Sequence, residues 1–159
     1  MFTIKRLNHA VLYVRNAQRA MEFYRDVLGF RVVEQMGGRA YFLQASGSEN
    51  HHDLGLFEVG ANAPGPSTGD RVGLYHLAWE TETLPDLATA LTSLANADAL
   101  VGQSDHGASL SLYGKDPDGN EFELFWAVPR EEWTTHGFDI KPLDLDGELH
   151  RRGLSAATA

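Results

Sequence analysis

Two histidines and one glutamate are the residues from which a metal centre is most readily built in this chain. His9 lies in NHAVLYV and His76 in YHLAWE, each near the start of a β-rich segment. Glu123 lies in EFELF, where period-two alternation puts Phe122 and Leu124 on the opposite face. A carboxylate pointing inward from a buried strand is costly unless it is paired or bound to a cation. Two neutral imidazoles and one carboxylate suit a divalent metal and leave coordination positions open. That facial set is expected for non-haem Fe(II) centres that handle oxygen, and the same ligands also serve Mn(II). Taken singly, either histidine reads more readily as a hydrogen-bonded core residue. The matched positions favour ligands.

Three further side chains stand near these in sequence. His52 opens the segment HDLGLF, while its neighbour His51 is expected to face solvent or the loop. His106 and Tyr113 fall in DHGASLSLYGKDPDGNEFE, just ahead of Glu123. A histidine and a tyrosine flanking a metal are able to donate to, or accept from, an oxygen ligand. The alternatives left open are a loop position for His106 and, for Tyr113, a core aromatic with its hydroxyl at the surface.

The elements that must position these groups follow from periodicity and turn chemistry. Residues 7–14 read as a strand, Asn16 as a helix cap, and Ala17, Ala20, Met21, Tyr24, Val27 and Leu28 as a helix face closed by Gly29. Strands are expected over 30–36 and 39–45, joined by a Gly37-Gly38 hairpin turn, and over 53–59. The order then repeats. A strand over 74–80 leads to a helix capped by Thr83, with Pro85 in its first turn and Leu87, Leu91 and Leu94 on its face. A weak edge strand over 101–104 and strands over 109–113 and 121–126 follow, the last two joined by the DPDGN turn at 116–120. The expected fold class is α+β, two tandem βαβββ modules in one domain over 1–130. Module one covers about residues 4–59, a Gly/Pro-rich linker 60–72, and module two about 73–126. Residues 131–159 are expected to be a loose tail packing locally through Trp133, Phe138 and Leu143, with a disordered end.

Bulk composition narrows the function classes. The chain has 159 residues, 43% hydrophobic and 22% charged, which suits one packed domain rather than a disordered chain. A formal net charge of −9 argues against a nucleic-acid partner and gives no help at an anionic membrane. There are no cysteines, so disulfides, thiolate catalysis and zinc–thiolate sites are excluded, and a reducing, cytoplasmic setting is expected. No apolar run approaches the ~20 residues needed to span a bilayer. The N-terminus reads as a strand rather than a signal peptide.

LNHAVLYVRNAQRAMEFYRDVLGF resembles the opening of the vicinal oxygen chelate superfamily, which includes glyoxalases, fosfomycin-resistance enzymes, antibiotic-sequestering proteins and extradiol catechol dioxygenases. The resemblance extends over residues 7–126. Within the superfamily, His106, Leu112-Tyr113, Pro117-Asp118-Gly119 and Glu123 resemble the extradiol signature, with Ser104 departing from the residues preferred two places before the histidine. The resemblance implies one vicinal-oxygen-chelate domain with curved mixed sheets around a metal site, and metal ligands His9, His76 and Glu123. It implies catalytic roles for His52 (acid–base), His106 and Tyr113, Fe(II) or Mn(II) as cofactor, and a catechol-type diol with O2 as substrates. It further implies a homodimer or larger assembly. The alternatives are a lyase, isomerase or thiol transferase on the same scaffold, or a small-molecule binding protein.

Overall fold

The computed structural model describes residues 1–66, 69, 72–133 and 140–156. The chain divides into two compact units, 1–65 and 66–159, with the division inside the Gly/Pro-rich stretch. The first unit runs β1 (Ala10–Val14), α1 (Ala17–Asp26), β2 (Arg31–Met36), β3 (Ala40–Gln44) and β4 (Leu54–Glu58). The second runs β5 (Leu77–Glu80), α2 (Leu84–Asn96), β6 (Leu100–Asp105), β7 (Ser109–Lys115) and β8 (Glu121–Ala127). The order β-α-β-β-β thus occurs twice, and the fold is α+β with two mixed four-stranded sheets. Their strand orders are β1-β4-β3-β2 and β5-β8-β7-β6, each closed by one parallel pair, β1 with β4 and β5 with β8. Among the described residues no helix is long and apolar enough to cross a membrane.

Local chemistry explains the elements. The Asn16 carboxamide oxygen accepts from the Arg19 N–H and starts α1, which buries Ala17, Ala20, Met21 and Tyr24. Thr83 caps α2 reciprocally with Asp86, a capping box beyond the Thr83 and Pro85 signals read from sequence. Gly37 and Gly38 both have positive φ (56° and 70°), the backbone that a two-residue hairpin turn requires and that glycine adopts without strain. One face of each sheet packs on its helix. Leu12, Val14, Leu43, Leu54 and Leu56 are buried in the first unit, and Leu84, Leu87, Leu94, Leu110, Leu112, Phe122 and Leu124 in the second.

Four segments differ from the sequence reading. β1 and β5 begin at Ala10 and Leu77, not at residues 7 and 74. Their ladders start with the pairs Ala10↔Leu54 and Leu77↔Phe122, and Leu7 and Leu74 upstream are exposed. β6 is a full six-residue strand, longer than its weak alternation suggests, because β7 holds it along its length apart from a bulge at Val101. The C-terminal segment is not loose. Lys141 makes an antiparallel bridge to Asp105, and α3 (Leu145–Arg151) buries Leu145 and Leu149, with Leu143 buried just ahead of it. Trp133 is exposed, though its indole N–H donates to the Val128 carbonyl at 2.7 Å. Phe138 and residues 157–159 lie outside the described residues.

The second core makes a steric demand at Gly114, which pairs with Phe122 across β7 and β8. A Cβ there would sit 2.7 Å from Phe122 Cε2, and the Phe122 ring is itself buried. Gly114→Ala is expected to cost about 1–3 kcal/mol through overpacking. Gly102→Ala, whose Cβ would find its nearest neighbour at 3.7 Å, is expected to cost less. Guanidinium unfolding midpoints at unchanged m compare the two. Equal midpoints would contradict the packing argument.

Candidate functional site

In the second unit, strand register brings together three of the six candidate side chains, and the turn after β6 adds His106. Tyr113 on β7 lies directly opposite Glu123 on β8, and Ala78 on β5 pairs with Glu123 from the other side. His76 immediately precedes β5. Phe122 and Leu124 are buried on the helix face, so Glu123 points away from the core, as alternation predicts. His76 Nε2 lies 3.2 Å from Glu123 Oε2, with both side chains mostly shielded from solvent. The Tyr113 hydroxyl lies 2.8 Å from His106 Nε2 and 3.5 Å from Glu123 Oε1. The His76 and Tyr113 ring centroids are 5.9 Å apart. Burial, and then the Glu123 carboxylate, push the Tyr113 phenol above its ordinary pKa. It therefore stays protonated at neutral pH and available as a donor.

The His76–Glu123 pair fits a divalent cation. Two electron-rich atoms at 3.2 Å repel unless a proton or a cation sits between them. That spacing is also about what two adjacent ligands of one ion show when each lies ~2.1 Å from it. His76 Nδ1 is buried without a hydrogen-bond partner, so Nε2 is the ring nitrogen that faces the carboxylate and would serve as the ligand atom. Among the described residues, no three His, Asp or Glu side chains are grouped as a metal site. The second unit supplies a pair.

In the first unit His9 immediately precedes β1, and His52 stands two residues before β4. Their ring centroids lie 4.6 Å apart, and His52 also packs edge-on against Phe42 at 5.2 Å. His51 is exposed as expected, but its Nδ1 is 3.1 Å from His52 Nδ1. Burial foremost, then the neighbouring His9 and His51, hold the His52 pKa below the ordinary histidine value. His52 is therefore a neutral ring at neutral pH, able to accept a proton.

A hydrogen-bonded hub that sequence reasoning missed reaches His9 and starts at the residue next to His52. The buried Asp53 carboxylate accepts from the Ala45 N–H (2.9 Å), the Ser48 hydroxyl (2.8 Å) and the Asn50 side-chain amide (2.7 Å). The same Asn50 amide nitrogen donates to the Asn8 carbonyl at 2.9 Å, and its oxygen accepts from the Asn8 side-chain amide at 3.1 Å. That orientation turns the Asn8 side-chain oxygen toward His9 Nδ1 at 3.0 Å. The proton is thereby held on Nδ1, leaving the Nε2 lone pair for a ligand. The signal in sequence was a carboxylate beside the histidines in HHDLGLF, within a Ser/Asn-rich loop that otherwise reads as solvated.

Comparison with known proteins adds the family. Residues 6–124 match the Glyoxalase/Bleomycin resistance protein/Dioxygenase superfamily. The chain is 32% identical over 168 residues to biphenyl-2,3-diol 1,2-dioxygenase 3 of Rhodococcus globerulus, covering 97% of this chain and 86% of that one. It is 30% identical over 152 residues to catechol-2,3-dioxygenase of Bacillus subtilis (strain 168), covering 92% of this chain but only 52% of the relative, so it spans about half that protein's length. Among solved structures, a glyoxalase/dioxygenase from Nostoc punctiforme superposes with a TM-score of 0.63 at 21% identity, covering 79% of this chain and 92% of that one. Lactoylglutathione lyase from Agrobacterium tumefaciens superposes at 0.57 and 24% identity, covering 77% and 94%. These two matches speak to the fold. The chain belongs to the glyoxalase/bleomycin resistance/dioxygenase superfamily, whose relatives here include catechol and biphenyl-diol dioxygenases.

The hub has a measurable consequence. All three groups facing the Asp53 carboxylate are donors, so Asp53→Asn would set an amide N–H against one of them. The expected cost is about 1–3 kcal/mol. The unfolding midpoint checks it, and an unchanged midpoint would show that the hub contributes nothing to stability.

Proposed function

We propose that this chain is an extradiol dioxygenase that opens a catechol-type ring with O2 beside the diol. The observation that carries the reading is the His106–Tyr113–Glu123 chain of contacts, with His76 against Glu123. Glyoxalase-type or thiol-transferase chemistry has no need of His52, His106 and Tyr113 together. The relatives named for catechol and biphenyl-2,3-diol support a vicinal aromatic diol as substrate. Relatives named as iron-dependent and as manganese-dependent extradiol enzymes support a divalent metal.

On this reading His9, His76 and Glu123 hold the metal, Fe(II) or alternatively Mn(II). When bound, it supplies the redox coupling that lets an aromatic diol react with dioxygen. His52, neutral at neutral pH, takes up and returns a proton on the oxygen side. The Tyr113 hydroxyl and His106 Nε2 hydrogen-bond the diol oxygen and orient the ring. Val11, Tyr13, Phe42 and Phe57 alternate onto the face of the first sheet opposite α1, and the Phe42 and Phe57 rings pack edge-to-face at 5.8 Å. Such a surface suits a flat apolar ring. The balance is closed: one ring C–C bond next to the diol breaks, both oxygen atoms of O2 enter the product, and a hydroxymuconic semialdehyde results.

The test is anaerobic Fe(II) loading, then catechol addition with oxygen uptake recorded. The parent is expected to consume one O2 per ring opened. Glu123→Ala is expected to lose the metal, because it removes the anionic ligand and leaves two neutral ones. His52→Phe is expected to keep metal and catechol binding and lose turnover on the order of 10²–10⁴-fold. No uptake by the iron-loaded parent across several catechols would overturn the reading. Unchanged turnover in His52→Phe would remove His52 from it.

A further inference from the structure

The turn carrying His106 is held from both sides. Asp105 ends β6, the outer strand of its sheet. Its N–H donates to the Lys141 carbonyl at 2.8 Å and its carbonyl accepts the Lys141 N–H at 2.9 Å. Its carboxylate accepts the Gly107 N–H at 2.7 Å, and Gly107 holds the positive φ (75°) that lets the chain reverse. The His106 N–H donates to the Ser109 carbonyl at 2.9 Å. Both neighbours of His106 are therefore tied to one carboxylate, and that residue's backbone is tied to the C-terminal segment.

The segment is itself anchored. Asp144 caps α3 through the Gly147 N–H, and Leu143, Leu145 and Leu149 are buried. Beyond the helix, the Arg152 guanidinium lies over the Trp126 ring at 4.8 Å and donates to Glu132 at 2.5 and 2.9 Å. Trp126 belongs to β8, the strand that carries Glu123. An edge strand without such a partner presents unpaired backbone groups and frays easily.

We propose that the Asp105 side chain and the Lys141 backbone are positioning groups for His106, holding its ring at the 2.8 Å contact with the Tyr113 hydroxyl. The C-terminal segment then serves turnover without touching the substrate. The proposal rests on the reading that His106 takes part in the chemistry. Displacing a reacting group by about 1 Å costs on the order of 10²-fold in rate, so the bridge acts on kcat more than on the single diol hydrogen bond that His106 contributes to binding.

The test uses the full-length chain and four variants, Asp105→Ala, Asp105→Asn, Lys141→Pro and Lys141→Ala. Iron-loaded protein gives kcat and KM for catechol. Metal-free protein gives long-range ¹H–¹⁵N resonances of the His106 ring, which report its tautomer and its hydrogen bond without any turnover. Asp105→Ala is expected to lower kcat by roughly tenfold or more with a smaller rise in KM and metal content nearly unchanged, and to shift the ring resonances toward mixed-tautomer values. Asp105→Asn retains an acceptor for the Gly107 N–H and is expected to restore both. Lys141→Pro, which deletes the bridging N–H, is expected to fall below Lys141→Ala, which deletes only the side chain. Parent-like kcat and parent-like ring resonances in Asp105→Ala would overturn the proposal. If Lys141→Pro fails to fold by circular dichroism, the Asp105 pair decides alone. His106→Phe separates the two readings: retained turnover there removes His106 from the chemistry, whereas lost turnover there beside a parent-like Asp105→Ala defeats the positioning role only.

Discussion

The parallel pairing of β5 with β8 is the contact on which the chemistry of the second unit depends. It sets Ala78 against Glu123 and so brings His76, one residue upstream of the strand, to 3.2 Å from the carboxylate. The register is over-determined. A slip of one residue would turn Glu123 into the core and bring Phe122 and Leu124 out to the polar face. Burial of those two side chains therefore holds the carboxylate in place, and the polar group itself contributes little to choosing its position. The antiparallel pairing of β8 with β7 then places Tyr113 opposite Glu123 without any further device.

The two modules share this geometry and differ in what they hang on it. In each, the hairpin of the second and third strands skips one residue at a bulge, Val33 in the first unit and Val101 in the second. Counting from those bulges and from the parallel pairs, His9 corresponds to His76, Phe42 to Tyr113, and Gly55 to Glu123. The first unit keeps the histidine, replaces the phenol by a phenyl ring and has glycine where the second has the carboxylate. Packing maintains that difference. A Cβ on Gly55 would lie 3.3 Å from Val11 Cγ2 and 3.5 Å from the Phe57 ring, so a longer polar side chain there would have to displace apolar neighbours. One scaffold thus yields a polar face in one copy and an aromatic one in the other.

Much of this was legible in sequence because it rests on short-range rules. Period-two alternation in EFELF placed Glu123, cap residues placed both helices, and the Gly37-Gly38 and DPDGN turns placed the hairpins. Less legible were features that depend on partners distant in the chain. The upstream limits of β1 and β5 are set by where β4 and β8 begin, which no local pattern records. Asn8 and Asp53 read as strand residues and Asn50 as loop polarity, since the Asn8–Asn50 hydrogen bonds that link them join segments more than forty residues apart. The C-terminal helix did leave a signal: Asp144 as cap and Leu145 and Leu149 at i and i+4. A short segment rich in charge masked it.

The histidines are fixed in two different ways, and burial explains the difference. In the second unit strand register and one half-buried phenol define the arrangement, and the His76 ring is mostly shielded from solvent. In the first unit His9, which like His76 stands one residue before its strand, is exposed, with the His52 ring beside it at 4.6 Å. A side chain in that position samples several rotamers and both neutral tautomers unless something selects among them. The Asp53–Asn50–Asn8 relay makes that selection. Its far end is a buried carboxylate satisfied by three donors, and each link toward His9 is more exposed than the last. Order is carried outward from the core by hydrogen bonds where packing cannot reach. The same buried carboxylate also sits next to His52, so one group sets the loop geometry for a ring selected to present a lone pair and for a ring kept neutral.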